Sequence, residues 1–190
     1  MPVTAIDSSA MALYNTRRSE KKKHAVSVAA CGWMLMTAGV ACMIVTVTFS
    51  GSGRTLSDQQ LDDIAANIGV PIPDSLRSFY IQRNGGRPTP NIFIDANGDD
   101  YEVHSFKSFG EPGWAGVSIE DTYRGLVAKG LIPHDLIPFA MDSGGNPYCM
   151  NRSGEICFMP MDTPNREIVP IANTLDEFIG GLVSPQEAYG

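Results

Sequence analysis

Between residues 25 and 49 the chain reads AVSVAACGWMLMTAGVACMIVTVTF, twenty-five positions without a charge. Beyond residue 55 the pattern becomes periodic. Leu61, Ile64, Ala65 and Ile68 recur at helical spacing behind Ser57-Asp58-Gln59-Gln60, which has the form of a capping box, and Gly69 ends the run. Val70-Pro71-Ile72-Pro73 is extended, because a residue before proline avoids the α region. Asp74 then opens a second helix with Leu76, Phe79 and Tyr80 as its buried stripe, closed by Asn84-Gly85-Gly86.

Asn97-Gly98 joins two expected strands, 91–96 and 99–109, in the strongest short hairpin signal there is. Ser118 caps a third helix through Tyr123, Leu126 and Val127 to Gly130. Expected strands at 139–141, 147–151, 155–159 and 167–171 follow. A last helix carries Leu175, Phe178, Ile179 and Leu182. Helices before, within and after a mostly antiparallel run of strands predict an α+β domain, with one sheet face under helices and the other open to solvent or a partner.

The apolar run 25–49 is preceded by RRSEKKKH. As a helix it measures roughly 37 Å, enough to cross a hydrocarbon core of about 30 Å with some tilt. The expected organisation is a basic cytoplasmic segment 1–24, a transmembrane helix 25–49, a linker 50–55, a domain 56–183 and a tail 184–190. By the positive-inside rule the domain lies outside a single-pass anchor. A cleaved signal peptide, a lipoprotein signal at Cys31, and a misassigned start that leaves a cytoplasmic protein are the competing readings.

Charge separates the same two parts. The formal charge is -7, yet residues 1–50 hold five bases (Arg17, Arg18, Lys21, Lys22, Lys23) against Asp7 and Glu20, so the remainder carries -10. Such a domain repels nucleic-acid phosphates and attracts a basic protein partner. Asp95, Asp99, Asp100, Glu111 and Asp142, with Trp114 in a Gly- and Pro-rich loop, are the loop residues best suited to binding one.

Signals for catalysis are weak. His104 and His134 have no partner at metal-ligand spacing. Asp95, Asn97 and Asp99 suggest a calcium loop, but Gly98 is fourth and Phe106 twelfth where an EF-hand needs Gly sixth and Glu twelfth. Ser143-Gly144-Gly145 lacks the nucleophile elbow, and no helix follows Gly144-Gly145-Asn146 to bind phosphate. The chain is expected to be no enzyme and to need no cofactor or metal. Cys149 and Cys157 flank the turn Arg152-Ser153-Gly154, which fits either a cross-strand disulfide or two buried thiols.

Three segments in order, IGVPIPDSLRSFYIQRNGG (68–86), LIPFAMDSGGNPYCMNRSGEICFM (136–159) and IANTLDEFIGGL (171–182), resemble the SUKH superfamily of cell-wall-synthesis regulators and bacterial immunity proteins. The resemblance spans roughly residues 56–183. Its motif residues here are Pro73, Phe79, Gly85, Gly86, Phe139, Gly145, Asn146 and Phe178, all with structural readings. It implies a protein-binding module that neutralises a cognate toxin, often a nuclease; the alternative is a membrane-tethered adaptor of envelope or signalling proteins. The membrane segment departs from the family, whose immunity proteins usually act in the cytoplasm.

Overall fold

The computed structural model describes residues 46–113, 116–163 and 167–190. Its elements in chain order are β1 (Thr48–Ser50), α1 (Asp58–Ile68), α2 (Asp74–Gln82), β2 (Arg87–Thr89), β3 (Ile92–Ile94), β4 (Asp100–Glu102), β5 (Ser105–Phe106) and α3 (Ile119–Ala128). There follow β6 (Ile137–Met141), β7 (Pro147–Met150), β8 (Ile156–Phe158), β9 (Val169–Ala172), α4 (Leu175–Gly180), β10 (Leu182–Val183) and α5 (Pro185–Tyr189). The fold is α+β.

All strand pairing is antiparallel. β5 to β9 form a five-stranded meander in sequence order, β10-β3-β4 form a second sheet, and β1-β2 a two-stranded ribbon. Gly86 exchanges both backbone hydrogen bonds with Phe106, at 3.0 and 2.8 Å, which fastens the ribbon to β5. Pro138 is tolerated in β6, an inner strand, because the ladder shifts register between Pro138 and Ala140.

The helices form as their caps dictate. Ser57 and Gln60 make the reciprocal capping box of α1, and Gly69 ends it in the left-handed conformation at φ 74°. Leu61, Leu76, Phe79 and Tyr80 meet Phe106, Phe109 and Phe139 in one buried cluster that also holds Phe178. Phe178 packs within 5.0–6.2 Å, ring centre to ring centre, of Phe93, Tyr148, Phe139 and Phe106. Helix α4 thereby closes on four strands, β3, β5, β6 and β7.

Five expectations need correction. The apolar run does not continue to residue 49: Thr48–Ser50 is a strand of the domain, since Phe49 finds ring contacts to Phe79 and Phe106 at 5.4 and 5.1 Å. The rest of that run, 25–45, lies outside the described residues, among which no helix is long and apolar enough to cross a membrane. Ser52 and Gly53, read as linker, are bonded to Gly85 and Asn84. The expected strand 99–109 is two strands in different sheets, because Val103 N–H turns to Asn91 O and His104 N–H to Met141 O. The last helix stops at Gly180 so that Leu182 can pair with Phe93, and the tail 184–190 carries α5, capped by Ser184 and Glu187.

The open sheet face is also absent at the centre. All four residues of β7 and four of five in β6 are buried, so both faces are covered there. The β3–β4 and β6–β7 turns, at 96–100 and 143–145, form one exposed end.

Candidate protein-binding surface

Two turns with the same internal logic define that end. In the β3–β4 turn, one oxygen of Asp95 accepts the N–H groups of Asn97 and Asp99 at 2.7 and 3.0 Å, and the other accepts Asn97 Nδ2. In the β6–β7 turn, Asp142 accepts Asn146 N–H and Asn146 Nδ2, both at 2.7 Å. Gly98 at φ 89° and Gly145 at φ 87° supply the left-handed residue each turn requires. Asp95 and Asp142 are thus turn staples, their carboxylates occupied by N–H donors. Among the described residues no group of three or more His, Cys, Asp or Glu could hold a metal ion.

Glu102, which the sequence did not single out, joins the two turns. Its carboxylate accepts Ser143 Oγ and lies 3.9 Å from His104 Nδ1, while its carbonyl accepts Tyr148 O–H at 2.6 Å. Tyr189 O–H donates to Asp100 at 2.8 Å, which folds the C-terminal helix onto the same end. Tyr189 is 62% exposed and Ile94, paired with Asp100 across the strands, 39%. Asp99 and Asp100 are exposed. The arrangement is an acidic surface studded with an aromatic and an aliphatic side chain. Between Asp95 and Met141 O-facing His104 the chain has Asp95, Asp99, Asp100 and Glu102 and no Lys or Arg.

Three of the described arginines have partners away from these turns. Arg77 bonds Asp62 at 2.6 Å and Asp58 at 3.3 Å, which raises its pKa further, and Arg124 pairs with Asp121 and Asn67. Arg83 lies 4.9 Å over the ring of Phe49. Of the remaining binding candidates, Glu111 is exposed in a segment tied through its neighbours to Asn84 and Glu120, not to the turns. Trp114 lies outside the described residues.

A buried polar network stands behind the ribbon. Asn84, 4% exposed, clasps the backbone of Phe109 with both amide atoms, at 2.8 and 2.9 Å. Tyr80 O–H donates to Lys107 O at 2.7 Å, and Lys107 Nζ to Val117 O at 3.1 Å. Burial lowers the Lys107 pKa, and burial chiefly raises those of Tyr80 and Tyr148. Glu120 accepts Gly110 N–H with one oxygen, and its other oxygen is buried without a partner. Nothing in the sequence marks Asn84 for this role, because an Asn before Gly-Gly reads as an ordinary helix end.

Cys149 and Cys157 face each other in register and are free thiols. Burial pushes Cys149 upward and Cys157 to about 12, so neither presents the thiolate that nucleophilic chemistry needs.

The motif residues hold the frame. Pro73 precedes α2 in extended conformation. A Cβ on Gly85 would come within 2.9 Å of Lys107 and Phe106 backbone, and one on Gly86 within 2.9 Å of Ser50 O. Phe79, Phe139 and Phe178 are core, and Asn146 also accepts Met161 N–H at 2.8 Å.

Fold and surface together define a helix-flanked antiparallel module with an acidic end. The SMI1 / KNR4 family (SUKH-1) matches residues 55–181, and the chain belongs to this family. It is also similar to the SPbeta prophage-derived uncharacterized protein YokK of Bacillus subtilis (strain 168), 27% identical over 155 residues, covering 70% of this chain and 78% of that protein.

Proposed function

We propose that this protein is a non-enzymatic binding module that neutralises a basic toxin domain, of nuclease type, through the acidic end formed by the two turns and Tyr189. The observation that carries this reading is the convergence of Asp99, Asp100 and Glu102 with the exposed Tyr189 and Ile94 on a surface that the described arginines do not offset. Membership of a family that includes toxin-immunity proteins supports it. Opposite charges speed encounter, and a partly exposed aromatic supplies an anchor once the partner has docked.

The apolar run tethers the module to a membrane. Shortened to 25–45, it would still span about 31 Å as a helix, and the basic residues before it hold the N-terminus in the cytoplasm. The toxin is then met outside the membrane; without the anchor the module works in the cytoplasm. A tethered adaptor is the second reading, favoured because the apolar run leads into β1 without a free spacer.

The test is growth rescue by the full chain, coexpressed with basic toxin domains encoded beside it. Rescue that disappears in the Asp99→Lys/Asp100→Lys variant, with binding that weakens as salt rises, is the expected result. A partner that is harmless when expressed alone would instead establish the adaptor.

A further inference from the structure

The pairing of β3 with β4 fixes which side chains share a face. Asp95 N–H donates to Asp99 O and Val103 N–H to Asn91 O, at 3.0 and 2.8 Å, so these pairs carry ladder bonds. Ile94 with Asp100, and Ile92 with Glu102, are then pairs without mutual bonds, whose side chains lie closest across an antiparallel ladder. By the alternation of a strand these four residues share one face. Phe93 and Tyr101 point to the other, where they meet Phe178 and Phe158 at 5.0 and 5.4 Å.

Cover on the first face ends between the two isoleucines, since Ile92 is 4% exposed and Ile94 39%. Helix α5 lies against β3, and Tyr189 O–H meets Asp100 Oδ2 at 2.8 Å. The phenol is therefore tied by its hydroxyl while most of the residue stays in solvent. Asp100 Oδ1 accepts no bond from any described residue. Asp100 is thus flanked by the tied ring through that bond and by Ile94 across the ladder. Segments 88–106, 141–151 and 167–190, which build this end, contain no Lys or Arg. A positive charge for Asp100 has to come from another molecule.

We propose that Asp100, Tyr189 and Ile94 form a receptor for an arginine side chain of the partner. The guanidinium donates to Asp100 Oδ1, lays its plane on the exposed face of the Tyr189 ring, and rests its methylene stem on Ile94. The bond from Tyr189 to Asp100 sets ring and carboxylate side by side before the partner arrives, which lowers the cost of docking. A lysine fits less well, because its ammonium is more strongly hydrated and has no plane to stack. This inference rests on the acidic-end reading above and names the group of the partner that this end takes.

The test titrates the full chain, in micelles of an uncharged detergent, with a blocked tripeptide bearing a central arginine and with its lysine counterpart. Binding is read from the NMR signals of the Ile94 methyl groups and the Tyr189 ring. The arginine peptide should shift both sets of signals and bind about threefold more tightly than the lysine peptide. Tyr189→Leu keeps apolar bulk but removes the ring and the hydroxyl, and should erase the preference. Tyr189→Phe keeps the ring without its tie and should lower the preference to about twofold, while Asp100→Asn should weaken both peptides. Both side chains are exposed, so circular dichroism of these variants should match the unsubstituted chain. Equal affinity for the two peptides, or a preference that survives Tyr189→Leu, overturns the receptor, because the end then attracts positive charge without selecting arginine. Failure of either peptide to move the Ile94 and Tyr189 signals overturns it too. Signals that move with protein concentration alone would give the spot to a second copy, with the same consequence. Growth rescue is read separately: its loss with the arginine preference intact removes the toxin and leaves the receptor standing.

Discussion

The acidic end and the ribbon end are built from the same materials, short strands and glycine-bearing turns, yet they are held in different ways. At the acidic end each turn is stapled by its own residues: Asp95 to Asn97 and Asp99, Asp142 to Asn146. At the ribbon end the ties reach across the sequence, from Ser52 to Gly85, Gly53 to Asn84 and Asn84 to Phe109. Locally closed turns leave their outer surface free to vary with a partner. Ties across long sequence separations make the ribbon part of the core, so its sequence answers to packing first.

The largest effect that can break this comparison is removal of β1. A chain beginning at residue 51 loses Phe49, with its contacts to Phe79, Phe106 and Arg83, and one strand of the ribbon. We expect it to be about 3–5 kcal/mol less stable to urea than a chain beginning at residue 46. Equal stability would reduce the ribbon to an appendage and restore 50–55 as a linker.

Alkali tests whether one core carries both ends. Burial raises the Cys149 thiol and takes Cys157 from 9.0 to about 12. A raised folded-state pKa means that the unfolded chain releases its proton first. Stability is therefore complete below about pH 9 and is lost as pH climbs toward 12. The raised phenols of Tyr80 and Tyr148 act in the same direction above pH 10, and the lowered Lys107 partly offsets them. Circular dichroism should show both ends failing together from about pH 9, with the onset moved upward in Cys149→Ala/Cys157→Ala. An unchanged onset would remove the thiols from the argument.

The ends also differ in how far the sequence foretold them. Asn97-Gly98, the Ser57–Gln60 capping box and the Phe178 stripe were legible because each signal is local and needs only a few residues to act. The family resemblance was legible for the same reason, since its motifs are turns and core positions that every such fold reuses. β1 was hidden because a strand of three residues at the end of an apolar run has no periodicity of its own. Phe49 becomes a strand residue only through rings thirty and fifty-seven positions away. The link from Glu102 to Ser143 and the Asn84 clasp were invisible for the same reason: their partners are defined by the fold. The acidic candidates were found by charge, which could not tell Asp95 and Asp142, occupied as staples, from Asp99 and Asp100, which face outward.

A matched pair of substitutions measures that difference in fastening. Asn84→Ala leaves the Phe109 N–H and C=O buried without partners and is expected to cost about 2–4 kcal/mol in urea unfolding. Asp142→Ala removes only local bonds at a half-buried turn and is expected to cost about 1 kcal/mol. Comparable losses would mean that the turn is as deeply tied to the core as the ribbon.

The smallest change in stability should accompany the largest change in recognition. Asp99 and Asp100 are exposed, and neither carboxylate holds a turn together, so Asp99→Asn/Asp100→Asn should shift unfolding by no more than about 0.5 kcal/mol. The same variant removes two charges from the surface proposed to steer a basic partner. Its association rate should fall and lose part of its salt dependence, while dissociation changes less, since rim charges act mainly on encounter. Asp95→Asn is the control, because it disturbs the staple and the charge together. If the Asp99→Asn/Asp100→Asn chain binds with an unaltered rate and salt slope, the partner is recognised elsewhere, and the acidic end is only the solvated tip of two well-made hairpins.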